Sequence, residues 1–267
     1  MKKGLTGGIH CCEDIHLEQD GIQMIWELLF IFLIILIGGF VQGASGFGLG
    51  LVVMGFLPLM LTIKESTLIV IALLLVASLS ILRKIYKHIE LKGLIIVLSS
   101  ALVGRVCAFF VLNAYGEMEI MKQWLGFFLI GMVIYLVLDK KKKDSSIGIN
   151  PIIPIILGFL SGFVGGVFAV GGPFMVFYFL IVYKDKLKYS ANLQVTVVVT
   201  TLFSLILHGL NGDFNTGFYV YFFVGVVGVF IGTSLGLKWF EKLPNNVIRK
   251  FAMILVFIAA LNLIIFS

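Results

Sequence analysis

Apolar residues in this chain come in long blocks, at 25–61, 66–82, 91–112, 122–138, 152–183, 190–209, 217–238 and 247–266. Six of these blocks have the ~17–25 residues with which an α-helix crosses about 30 Å of hydrocarbon. Membrane-barrel strands would instead show alternating segments of roughly 10 residues. The pattern therefore predicts an all-α polytopic membrane protein. The blocks 25–61 and 152–183 are too long for one ordinary span, since the second would measure ~48 Å as a single helix. Glycines interrupt both, in Gly38-Gly39-Phe40-Val41-Gln42-Gly43-Ala44-Ser45-Gly46-Phe47-Gly48-Leu49-Gly50 and again from Gly158 to Pro173. Irregular backbone survives in a bilayer only where protein or a water-filled cavity satisfies its polar groups. Matching breaks in two halves of a chain are the sequence mark of a transporter's binding site.

Each broken block is either a strongly tilted span or a hairpin that enters and leaves on one side. Charge separates the two readings for the second block, because loops rich in Lys and Arg stay cytoplasmic. As one span, 152–183 would put seven basic residues of loops 184–188 and 238–250 outside. As a hairpin, it gives a division of the twenty Lys and Arg into fifteen inside, four outside (Lys2, Lys3, Lys64, Lys122) and Arg105 within the membrane. For 25–61 an internal repeat carries the same reading. Gly39-Phe40-Val41-Gln42-Gly43 parallels Gly158-Phe159-Leu160-Ser161-Gly162, and Ser100/Gly104/Ala108 parallels Gly228/Gly232/Gly236. Those two small-residue ladders read as helix-packing seams. The expected organisation is a polar tail at 1–23, a first repeat at 24–139, a basic cytoplasmic linker at 140–151 and a second repeat at 152–267. Each repeat is a re-entrant helical hairpin plus three transmembrane helices. With both blocks as hairpins, the repeats are inverted and both termini lie outside.

Composition adds little beyond this. The chain is 60% hydrophobic and 13% charged, with mean hydropathy +1.11, against about 25% charged residues in a soluble domain. The net charge of +6 belongs to the loops and does not call for nucleic acid as a partner. The polar start lacks the pattern of a removable signal peptide, and Met24, directly before the first apolar block, is the expected native start; detection of residues 1–23 in protein made from the native locus would refute that. His10, Cys11, Cys12 and His16 have metal-ligand chemistry, but in a short polar segment they read as an irregular tail. Neither a metal site nor a cofactor is expected.

Half-helices beginning near Gly48–Gly50 and near Gly172-Pro173 would aim unpaired backbone N–H groups and partial positive charge at a common point. Pro173 suits a first helical position. Gly43, Gly46, Gly48, Gly165, Gly166, Gly171 and Gly172 would let backbone approach a small anion, with Gln42, Ser45 and Ser161 as side-chain donors. Arg105, the only cation well inside a span, either contacts that anion or snorkels outward past Asn113. On 190–209, Asn192 and Gln194 are the favoured cavity-lining groups, with Thr196, Thr200, Thr201 and Ser204 on the same helix. Ser66-Thr67 is expected to cap the helix that follows. No Asp or Glu lies mid-span, so a carboxylate proton relay has no carrier, and His208 sits at the outer end of its span.

With these residues in place, the chain resembles the sulfite exporter TauE/SafE family over about residues 24–266. The resemblance rests on the motifs Gly39–Gly50 and Gly158–Pro173. It also rests on Gly228-Val-Phe-Ile-Gly232-Thr-Ser-Leu-Gly236-Leu-Lys238, followed by Leu243-Pro244 and Arg249-Lys250-Phe251. It implies a bacterial plasma-membrane permease for sulfite, sulfoacetate or a related organosulfonate. The expected function is alternating-access transport of such an anion. A passive anion channel and a permease for a carboxylate or another small anion are the alternatives. No catalytic constellation can be assembled, so an enzyme is not expected. A coupling proton or sodium ion, and a homodimer, stay open.

Overall fold

The computed structural model describes residues 7–90, 93–138, 152–183, 185–239 and several positions between 254 and 265. Nine long helices order the first four of these stretches: α1 Gly7–Ser45, α2 Leu49–Phe56, α3 Ile63–Ile85, α4 Leu94–Tyr115, α5 Ile120–Leu138, α6 Ile152–Val167, α7 Gly172–Val182, α8 Lys186–Leu210 and α9 Thr216–Trp239. Among the described residues, five segments are long and apolar enough to cross a membrane: Gln23–Ser45, Ile63–His88, Leu94–Tyr115, Lys186–Leu210 and Thr216–Trp239. The linker at 140–151 lies outside the described residues. α1 extends N-terminally to Gly7, where polar composition alone predicts an irregular tail; extending a helix already nucleated by its apolar part costs little per residue.

Both broken blocks turn back on themselves. A β-carbon on Gly38 would lie 2.8 Å from Val53 Cγ2, and one on Gly48 would lie 2.6 Å from Val41 Cγ1, so α2 returns along the end of α1. In the second block, Gly171 packs against the Ser161 carbonyl and Gly165, so α7 starts beside the end of α6. Neither block is one continuous tilted helix. The reversals follow from backbone that only a few residue types adopt: Gly46 and Gly48 have φ of 81° and 128°, and Ala169 has φ of 53°.

The small-residue ladders are seams, and the structure gives their partners. α9 packs on α1 and α6 packs on α4. Gly232 faces the Leu36 carbonyl and Gly236 the Phe40 carbonyl, while Gly104 faces the Phe159 carbonyl and Gly162 the Ala101 carbonyl, each too closely for a β-carbon. Without a hydrophobic drive between helices in lipid, such backbone approach supplies the contact. The first helix of each half thus packs on the fourth of the other.

α3 and α8 pack against each other in opposite directions. At one end, Lys64 pairs with Asp213 at 2.9 Å and Asn215 donates to Glu65 at 3.0 Å. At the other, Lys188 pairs with Glu90 at 3.1 Å, and the Glu90 N–H donates to Asn192 Oδ1 at 3.1 Å. The helix cap at the first end is not Ser66-Thr67. α3 starts at Ile63 with a capping box, in which the Thr62 side chain accepts from the Glu65 N–H and the Glu65 carboxylate accepts from the Thr62 N–H. The Thr62-x-x-Glu65 spacing is what makes that reciprocal pair, and it leaves Ser66 and Thr67 buried in the second turn. Thr62→Ala is expected to lower unfolding stability by about 1 kcal/mol, read as a lower thermal midpoint in detergent.

Candidate functional site

The two breaks meet. Gly50 approaches the Ala169 carbonyl too closely for a β-carbon, and one on Gly172 would lie 3.3 Å from Phe47 Cβ. Around this contact is a cavity of about 40 Å³, more than the roughly 10–15 Å³ that a water requires. Its wall contains Gln42, Gly46, Gly48, Arg105, Ser161, Gly171, Gly172 and Pro173, all anticipated from the sequence. It also contains Phe47, Gly50, Thr196 and Thr200, together with apolar neighbours such as Leu74 and Met175.

Arg105 lies halfway along α4 and turns inward, with 6% of its surface exposed. Of the two placements open to it from sequence, snorkelling past Asn113 is not the one adopted. Nη1 donates to the Gly165 carbonyl at 2.8 Å and to Ser204 Oγ at 3.2 Å. Nε is buried with no partner, and no carboxylate pairs with the guanidinium among the described residues. A buried cation without a counter-charge is costly, which is why such groups are usually paired or serve a ligand.

Several expected donors are occupied elsewhere, because the breaks expose carbonyls that must be satisfied in an apolar surrounding. Gln42 bridges its own break: Nε2 donates to the Gly46 carbonyl at 3.3 Å, and Oε1 accepts from the Leu49 N–H at 3.2 Å. Ser161 does the same in the other half, donating to the Gly171 carbonyl at 2.8 Å. Gln194 reaches across from α8 to the Gly46 carbonyl at 2.9 Å, and Thr67 from α3 to the Val167 carbonyl at 2.8 Å. Ser45 donates to the Val41 carbonyl at 2.7 Å and also contacts the Phe47 carbonyl.

Six expected site residues, Gly43, Ser45, Gly165, Gly166, Asn192 and Gln194, are not part of the cavity wall. Asn192 holds the Lys188 carbonyl at 2.8 Å and the Glu90 N–H, so it ties the start of α8 to the end of the 86–90 turn. Gly43 packs on the Thr233 backbone of α9, and Gly166 on Ala108 of α4. Gly165 touches the Arg105 guanidinium from behind. Conversely, Thr196 and Thr200 reach the wall through a spacing visible in the sequence, the stripe Asn192, Thr196, Thr200, Ser204, His208 at intervals of four. Both hydroxyls donate back to the carbonyls four residues earlier, at 2.9 and 2.7 Å. Among the described lining residues, the donors left are Arg105 Nε and the first-turn N–H groups of Gly50 and Leu51 in α2 and Gly172 in α7, for which a helix has no internal acceptor. Such a set takes negative charge.

Long apolar helices, paired helix breaks and a buried cation at their junction define a polytopic membrane protein with an internal polar site. Residues 31–263 match the sulfite exporter TauE/SafE family, and the chain belongs to that family. It is 25% identical over 255 residues to a probable membrane transporter protein of Methanocaldococcus jannaschii, which covers 85% of this chain and 93% of that one. No solved structure matches the chain. Family and relative together make this a multi-pass membrane transport protein.

Proposed function

We propose that the protein carries a small sulfur-containing anion, such as sulfite, sulfoacetate or a related organosulfonate, by alternating access. The observation that carries this reading is the buried Arg105, without a carboxylate partner, where two broken helices present their N-terminal turns to one cavity. A bound anion would supply the missing counter-charge and accept from Nε and from the first-turn N–H groups of Gly50, Leu51 and Gly172, all of which line the cavity. The sulfur in the substrate comes from the family's description; the preference for an anion comes from the donors.

Rocking of two inverted halves around the breaks is supported by the opposite directions of α3 and α8, and by the reciprocal packing of α1 on α9 and α6 on α4. The described basic residues Arg83, Lys84, Lys87, Lys186 and Lys188 cluster at the Glu90 end, and the sparse loops with Glu117, Glu119 and Asp213 lie at the other. We read the Glu90 end as cytoplasmic in a bacterial plasma membrane and both termini as outside.

The test is calorimetric binding of the purified chain to sulfite, sulfoacetate, taurine, sulfate, acetate and chloride. Selective binding of a sulfur oxyanion is expected. Equal binding of acetate and chloride would replace the substrate class, and no binding by folded protein would overturn the anion site.

A further inference from the structure

One titratable group lies on the same polar stripe as the cavity and has no part in the reading above. His208 is 2% exposed, and its Nδ1 lies 2.6 Å from Asp213 Oδ2. Asp213 also accepts from Asn211 at 2.9 Å and pairs with Lys64 at 2.9 Å, its own side chain 6% exposed. Burial pushes the Asp213 carboxyl up, but hydrogen bonds from His208, Lys64 and Asn211 and the Lys64 charge outweigh it, leaving the group below the usual carboxylate range. It is therefore ionised through neutral pH and only accepts. The hydrogen in the His208 contact sits on Nδ1, and Nε2 is the imidazole nitrogen free to take a second proton.

The stripe joins this imidazole to the cavity. Ser204, one helical turn before His208 on α8, accepts from Arg105 Nη1 at 3.2 Å. Phe109, on the same helix as Arg105, packs its ring 4.9 Å from the imidazole. The charged groups facing His208 are Asp213 from the adjoining loop, Lys64 from α3 and Arg105 from α4. α6, which also packs on α8, contains no ionisable residue, and Tyr178 of α7 and Tyr183 just after it lie toward the Glu90 end. A positive imidazolium thus meets one negative neighbour and two positive ones. An anion at Arg105 cancels one of the two opposing charges.

We propose that His208, held by Asp213, is a proton-binding site coupled to the anion site, so that the protein takes up a proton together with each anion. This rests on the anion reading of the cavity. Linkage makes the effect reciprocal: the anion raises proton affinity at His208, and the proton raises anion affinity by the same factor. Histidine carries such a change across neutral pH, which is the function that the absence of mid-span carboxylates left without a carrier.

The experiment is isothermal calorimetry of the full chain with sulfoacetate from about pH 8 to about pH 6, in two buffers of different protonation enthalpy. The probe's own acid groups titrate below this window, carboxylates having pKa values near 4. Kd is expected to fall at least about fivefold across the window, within the usual range of coupling between sites, with net proton uptake of at least roughly 0.4 per anion near its centre. His208→Gln keeps a donor for Asp213 and is expected to bind at the high-pH affinity with no pH dependence and no uptake. Asp213→Asn removes the charge that favours the imidazolium and should move the transition to lower pH. A flat wild-type Kd without proton uptake overturns the coupling while leaving the anion site standing, and a pH dependence retained in His208→Gln does the same. Failure of the folded wild type to bind sulfoacetate or any other anion of the screen at any pH overturns the anion reading and this inference with it.

Discussion

Arg105→Gln is expected to weaken anion binding by roughly 30- to 5000-fold, with transport falling in step. That range corresponds to about 2–5 kcal/mol, the usual cost of removing one partner from a buried, hydrogen-bonded charge pair. The argument is one of placement. The guanidinium is buried in the cavity wall beside both helix breaks, Nη1 is held by the Gly165 carbonyl and Ser204, and Nε is without a partner. Glutamine retains a donor but removes the only full positive charge on the wall among the described residues. The folded state is not expected to suffer, since the substitution also removes a buried charge that no carboxylate among the described residues offsets. Arg105→Lys keeps charge but loses the planar fork, so it should fall between wild type and Arg105→Gln. Calorimetric Kd values and uptake into proteoliposomes, at matched expression, decide the matter. Unchanged affinity in Arg105→Gln would take the residue out of the site.

Much of this arrangement is legible in the sequence, and the unread part has a common cause. Spans and breaks are local facts: apolar length fixes the first, and glycine clusters inside blocks of excessive length fix the second. The ladders at 100–108 and 228–236 are likewise visible as seams, but their partners are not, because α9 packs on α1 and α4 on α6, pairings between halves that no local pattern encodes. The polar residues at the breaks were the least legible. Gln42, Ser161 and Gln194 look like ligand donors in one dimension. In three, the chain reversals expose the carbonyls of Gly46 and Gly171, and these compete for the same donors. Thr67 is claimed by the Val167 carbonyl in the same way. Arg105 escapes this competition only in part, and its unpartnered Nε is what remains available. Thr196 and Thr200 were within reach of sequence reasoning, since their four-residue spacing from Asn192 runs through Ser204 to His208.

The second large effect is expected at Gly50, where backbone meets backbone. A β-carbon there would collide with the Ala169 carbonyl oxygen and lie 3.1 Å from its carbon. Neither atom belongs to a flexible side chain that could swing aside, and Ala169 is already at a positive φ of 53°. Gly50→Ala must therefore push the two breaks apart. Overpacking of this kind costs about 1–3 kcal/mol, so the thermal midpoint should drop. Separation of the breaks should also abolish transport, because the first-turn N–H groups of α2 and α7 would no longer face the same point beside Arg105. A comparison within the same protein removes the general effect of adding a methyl to a membrane helix. Gly131 in α5 has nothing within 4 Å of the position a β-carbon would take. Gly131→Ala should leave transport intact and keep or raise stability by up to about 1 kcal/mol, the propensity difference between the two residues in a helix. Normal transport by Gly50→Ala would mean that contact between the breaks is not needed for function, and the site would then have to rest on Arg105 and α8 alone.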